Sequence, residues 1–405
     1  MKLRNNMLQQ AVKFALATTT AGLFVSGSVV AADESTEETK VNKNVEKIAV
    51  VGTRSAPRSI GDSPVPIDII GGEELTKAGN TDMLELLKGS VPSFNVHQNP
   101  ISDAASLVRP ANLRGLPADS TLVLVNGKRR HRASVIAFLG GGINDGAQGA
   151  DISVIPSIAL KQVEVLRDGA AVQYGSDAIA GVMNFVLKDA SEGGSFEIRQ
   201  GEYYEGDGDT TQISGNVGLP FTDSGFANLS FQYKTADATS RSVQRPDAAA
   251  LSAAGVPDVS PLAQVWGAPE VNDDISIFGN IGLQLSNTSD FYMFGNYSER
   301  DVRGGFYYRN PHTRPGVYSN DGGETLLVGD LTGDMSGNCP TNIKIDDNVL
   351  DNPDYISGVA NNPDCFAFNE ILPGGFTPNF GGNITDTALT IGTKGEITSG
   401  FLNGA

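Results

Sequence analysis

In several segments between residues 195 and 397 apolar side chains recur at every second position, which restricts those segments to strands with one apolar and one polar face. Ile213, Gly215, Val217, Leu219 and Phe221 alternate with Gln212, Ser214, Asn216 and Gly218, and Leu229, Phe231 and Tyr233 alternate with Asn228, Ser230, Gln232 and Lys234. The same rhythm runs through Ile275, Ile277, Gly279, Ile281, Leu283 and Leu285, and through Leu389, Ile391, Thr393 and Ile397. About six strands are expected, the first over Ser195–Glu205. Two environments suit them: lipid outside and a polar lumen inside, or a sandwich with one solvated face.

The connections separate the two. Thr222–Gly225 and Asn287–Asp290 read as tight turns, whereas Arg241–Asp273 and Asn310–Ile384 read as long loops. If the first strand rises outward, every tight turn falls on one side and every long loop on the other. An outer-membrane barrel segregates its connections in this way, and a soluble sandwich has no reason to.

The 405 residues carry a formal net charge of −18, which argues against a nucleic-acid partner. No window of about 18 apolar residues occurs beyond the N-terminus, so no membrane-spanning helix is expected. Residues 1–32 read as a signal peptide: Lys2, Arg4 and Lys13 are followed by an apolar run to Val25 and by Val30-Ala31-Ala32. In an exported chain the only two cysteines, Cys339 and Cys365, are expected to form a disulfide, which stabilises the loop around it by roughly 3–4 kcal/mol. That loop holds Asp321, Asp330, Asp334, Asp346, Asp347, Asp351, Asp354 and Asp364; a calcium site and a solvated acidic loop both fit. Asp330–Asn338 lacks the EF-hand ligand register, so no metal and no cofactor are expected.

Ahead of the strands lies a small mixed domain, expected over residues 63–190. Ser63–Ile70 is a proline-opened strand, and short helices follow at Glu73–Ala78 and after an N-cap at Asn80 or Thr81, with Asp82 at the positive helix end. Leu122–Val125 is a strand closed by Asn126-Gly127, and Lys161–Lys188 reads as strand, turn, helical turn and strand. Residues 33–62 read as a flexible tether, apart from one β-prone run at Val45–Arg54 with nothing nearby to pair with.

Leu113-Arg114-Gly115, Val163-Glu164-Val165-Leu166-Arg167, Tyr174-Gly175 and Ala180-Gly181-Val182-Met183-Asn184, in this order and spacing, resemble the plug domain of TonB-dependent outer-membrane receptors. The resemblance implies an α+β plug domain followed by the first strands of a large antiparallel transmembrane β-barrel, 22-stranded in the family. Residues 191–405 would then be the N-terminal part of that barrel. Six strands are fewer than a closed barrel requires, and Phe401–Ala405 shows no terminal aromatic strand. The expectation is a piece of a longer receptor with two open strand edges.

Several site residues are implied by the same resemblance. Glu46, Lys47, Ile48, Ala49, Val50 and Val51 are similar to a TonB box, a strand offered for β-addition to TonB and its inner-membrane energising complex; an ordinary first strand of the plug is the other reading. Arg114 and Arg167 are expected to pair the plug with glutamates on the barrel wall, partners that lie late in the barrel and are not expected within this chain. His97, Gln98, Lys128, Arg129, Arg130, His131 and Arg132 are candidates to face a small-molecule ligand, and the basic run Lys128–Arg132 could equally pair with acidic wall residues.

The three histidines share no metal-ligand spacing, and no nucleophile-elbow, zinc-protease or P-loop pattern occurs, so no enzyme is expected. The function implied is TonB-dependent uptake of a scarce solute, by default a ferric siderophore, with cobalamin or an oligosaccharide as alternatives. A passive plugged porin or adhesin, and an exported β-sandwich enzyme, are the competing classes.

Overall fold

The computed structural model describes residues 48–49, 58–59, 67–77, 80–95, 107–137, 142–167 and 170–395. The expected signal peptide, most of the tether, and Glu46, Lys47, Val50, Val51, His97 and Gln98 lie outside the described residues.

The first described residues form two short paired strands, β1 (Ile48–Ala49) and β2 (Arg58–Ser59), which set Ile48 opposite Ser59. Ile48 and Ala49, the described part of the β-prone run, are therefore paired, where no nearby partner was expected. The small domain follows with β3 (Ile67–Gly71), α1 (Gly72–Lys77) and α2 (Met83–Ser90). Asp82 is itself the N-cap of α2, accepting hydrogen bonds from the amides of Leu84 at 3.0 Å and Glu85 at 3.2 Å. The helix turns Met83, Leu84, Leu86 and Leu87 inward. Then come β4 (Phe94–Asn95), β5 (Asn112–Leu113), β6 (Thr121–Val125), β7 (Lys128–Arg129), β8 (Leu160–Leu166), α3 (Ala170–Tyr174) and β9 (Gly181–Leu187). Five of these strands form one sheet in the order β3-β8-β9-β6-β7, with β6 and β9 parallel and the other neighbours antiparallel.

Two residues of the sequence motifs hold this sheet from within. Glu164 and Asn184 face each other across β8 and β9, fully buried; Asn184 donates to Glu164 at 3.0 Å and accepts from the Gly127 amide at 2.8 Å. A buried carboxylate needs such donors, and Gln162 supplies a further one at 2.7 Å.

The second half is an antiparallel sheet in sequence order: β10 (Gly194–Gly201), β11 (Thr210–Pro220), β12 (Gly225–Ala236), β13 (Glu270–Ser286), β14 (Ser289–Gly305) and β17 (Asn379–Gly395). Between β12 and β13 lies helix α4 (Pro246–Ala253), begun by proline at its first position. Between β14 and β17 lie β15 (Gly329–Asp330) and β16 (Cys365–Phe366), paired with each other, and the Cys339–Cys365 disulfide. This loop has a core of its own, in which Leu326, Ile343, Val349, Tyr355 and Val359 pack together around Cys365. Tight connections and long loops alternate as the sequence pattern requires, so the long loops share one end of the sheet.

Burial decides between the two environments. The polar face of the long sheet is the covered one, with Gln212, Ser214, Asn228, Ser230, Gln232, Ser276, Asn280, Asn296 and Ser298 all buried. The apolar face is open: Phe196 is 71% exposed, Leu389 71%, Ile391 62% and Ile277 48%. A water-soluble sandwich buries its apolar face, so this arrangement requires lipid on the outside. What covers the polar face is the small domain, into whose core Phe278 and Phe294 of the sheet also project.

Candidate functional site

The small domain meets the long sheet through polar side chains at three levels. At the level nearest the long loops, Arg300 of β14 donates to Asp151 at 2.7 Å and to the Leu107 carbonyl at 2.8 Å, and its other nitrogen reaches Ser153. Asp151 also accepts from the Arg109 amide at 3.3 Å and from the Ser153 amide and hydroxyl at 3.0 and 2.6 Å. Both ends of this ion pair are buried, and the Asp151 carboxylate and both terminal nitrogens of Arg300 are matched by hydrogen bonds, while Arg300 Nε is buried without a partner among the described residues. Beside it Arg109 pairs with Asp82. Burial alone pushes the Asp82 carboxyl up, but Arg109, Lys234 and the amides of its helix outweigh that and hold it below the usual carboxylate range.

At the middle level Arg130 pairs with Asp386 of β17 and donates to Asn296 of β14 at 2.7 Å. His131 Nε2 lies 2.7 Å from the other oxygen of Asp386, and Asn296 donates to the first at 2.8 Å. Burial draws the Arg130 guanidinium down from its ordinary value, against the opposing pull of Asp386 and Asp151. Ser276 and Ser298 both donate to the Val154 carbonyl, at 3.2 and 3.4 Å. At the lowest level asparagines close the boundary: Asn126 donates to Asn280 at 3.3 Å, Asn280 to the Lys188 carbonyl at 2.9 Å, and Asn228 to the Ala190 carbonyl at 3.2 Å.

The basic run Lys128–Arg132 is thus divided. Arg130 and His131 reach the wall, Arg129 pairs with Asp177 inside the small domain, Lys128 sits 5.2 Å over the Tyr292 ring, and Arg132 is exposed. A cavity of 420 Å³ lies alongside, bounded by Val125, Leu187, Phe278 and Phe294 and rimmed by Lys128 and His131.

Among the described residues Arg114 and Arg167 make bonds within the small domain, and their pairing with glutamates late in the barrel stays an expectation. Arg167 pairs with Asp68 of β3 at 2.8 Å, and Arg114 donates to the Arg167 carbonyl at 3.2 Å. The register explains it: Ile67 lies opposite Leu166 on the neighbouring strand, so Arg167 emerges beside Asp68. Arg114 has φ 57°, a left-handed turn shared with Gly115 that aims its side chain along the small domain. The residues that do join domain to wall, Asp151, Arg300, Asn296 and Asp386, were not singled out from sequence. Arg300 and Asp386 stand on the polar face of their strands, but that face holds many polar residues and its parity does not say which are covered.

In the long loops, the acidic residues shape turns. Asp321 accepts from the hydroxyls of Thr325 and Ser319, and Asp330 from Thr332 and the Gly337 amide; these hydrogen bonds hold both carboxyls below their ordinary value.

The family model for the TonB-dependent Receptor Plug Domain matches residues 59–182. Among curated relatives, the ferric enterobactin receptor PirA of Pseudomonas aeruginosa is 28% identical over 189 residues, 46% of this chain and 24% of that protein. The vitamin B12 transporter BtuB of Photobacterium profundum is 27% identical over 225 residues, 56% of this chain and 32% of that protein. The solved structure of the siderophore receptor PirA from Acinetobacter baumannii is 21% identical with a TM-score of 0.43, covering 58% of this chain and 32% of that one. The chain thus spans between a quarter and a third of the length of these relatives.

Proposed function

We propose that this chain, whose residues 59–182 match the plug domain of TonB-dependent receptors, serves the energised uptake of a scarce solute across the outer membrane, with residues 63–190 as the plug. The observation that carries the reading is the polar boundary between plug and wall. An apolar seat would be permanent, whereas hydrogen bonds to serine and asparagine exchange for water at a net cost of only about 0.5–1.5 kcal/mol each. A plug held this way blocks the lumen at rest and still leaves under load.

The handle is the strand around Ile48–Ala49, whose backbone TonB would capture by adding it to a sheet edge. Since β1 is paired with β2, that pairing opens before capture. A ferric siderophore is the leading solute, as relatives named for ferric enterobactin support; the cobalamin transporter among them makes a vitamin the second choice. External loops and the plug would supply first contacts, with His97, Gln98 and Arg132 as candidates.

The test is uptake of labelled ferric siderophore and cobalamin by cells expressing the gene, with and without TonB. Val50→Pro removes a backbone donor from the handle and should abolish uptake while leaving the protein in the membrane. Uptake that persists in Val50→Pro and without TonB would establish a passive pore instead.

A further inference from the structure

We propose that Arg130, Asp151, Arg300 and Asp386 form two crossed latches that fix the plug in its seat and set how readily it leaves. Each pair spans the boundary, and their polarity is opposite: the wall supplies the cation to Asp151 and the anion to Arg130. The wall members stand on neighbouring strands, because Arg300 lies opposite Ile384 and Ser298 opposite Asp386. All four side chains are nearly inaccessible, at 6% and 11% exposure for one pair and 7% and 3% for the other.

Three physical consequences follow from this placement. A buried charge stripped of its partner is far more costly than a lost surface pair, so each latch rejects any position of the plug but one. Opposite polarity leaves the group neutral overall, yet a slide of the plug along the wall brings like charges together, Arg130 toward Arg300 in one direction and Asp151 toward Asp386 in the other. Lying side by side, the latches resist displacement together rather than in sequence. Arg300 grips two separate plug segments, through Leu107 and through Asp151 with Ser153, and His131 adds a second contact to Asp386. The 420 Å³ cavity next to Arg130 and His131 gives water a route to the second latch once it opens. The four act here as positioning residues.

The inference rests on residues 63–190 acting as a displaceable plug, and the test needs neither TonB nor solute. Hydrogen exchange of the plug sheet, Thr121–Arg129 and Leu160–Leu187, is followed in the full chain in lipid vesicles. Asp386→Asn and Arg300→Met should each speed its exchange on the order of a hundredfold, while exchange in the disulfide-braced loop stays unchanged. The apolar double variant Arg130→Met/Asp386→Leu removes both charges and should return most of the loss, a recovery that a merely structural role would not give. Unchanged exchange in the single variants, or a double variant that exchanges as fast as Asp386→Asn or faster, overturns the latches. Latch variants that behave as expected in a protein without TonB-dependent uptake would leave the latches standing and count against the transport reading alone.

Discussion

Asp82 serves both a helix and an interface. It caps α2 and pairs with Arg109, and its carboxyl is held below the ordinary range despite burial. A carboxyl with a lowered folded value adds stability at pH above its unfolded value near 4, and that stability is lost as pH falls through the folded value. Plug unfolding followed by denaturant titration should therefore weaken below about pH 4, and Asp82→Asn should flatten that acid limb. Asp82→Ala should cost about 1–2 kcal/mol at neutral pH, from the lost cap and a partly exposed ion pair. The sequence placed Asp82 at the positive end of a helix. Its pairing with Arg109, 27 residues later, depends on how the intervening strands fold back.

At the scale of elements, the motif glycines and the loop staple carry separate loads. Gly181 opens β9 at φ 147°, and a Cβ there would lie 2.6 Å from the Leu166 carbonyl and 3.1 Å from Leu113. Gly181→Ala should destabilise the plug by about 1–3 kcal/mol, read as a lower urea midpoint. The loop between β14 and β17 is a unit of its own, with a core and a disulfide. Replacing Cys339 and Cys365 by serine should weaken it by roughly 3 kcal/mol on the chain-entropy model. Limited proteolysis should then cut within 326–367 while the strands stay intact. The strands, their order and their turns were legible because period two and turn chemistry are local properties. The pairing of β1 with β2 and the loop's internal core were not, since each depends on which segments the fold brings together.

For the whole molecule, the exposed apolar face makes a direct demand on the solvent. Leu389, 71% exposed on β17, and Leu331, 63% exposed in the outer loop, look alike by accessibility. In lipid they differ. Leu389→Arg should destabilise the membrane-inserted protein by about 2–4 kcal/mol, whereas Leu331→Arg should leave it unchanged. Urea unfolding in vesicles measures both, and an equal response would count against a lipid-facing sheet.

The sequence by itself determined that the chain has a small α+β domain followed by long one-faced strands, because alternation, glycine turns and capping residues act over a few positions. It also carried the plug motifs, since Glu164, Asn184 and Gly181 are constrained by their immediate neighbours in one sheet. Only the tertiary structure decided which face is covered, that Arg167 turns to Asp68, and that Asp151 meets Arg300 and Arg130 meets Asp386. These partners lie 99 to 256 residues apart in the chain. Charge pairing at that distance leaves no local pattern: any acid on the polar face is an equal candidate until docking makes one of them unaffordable to leave alone.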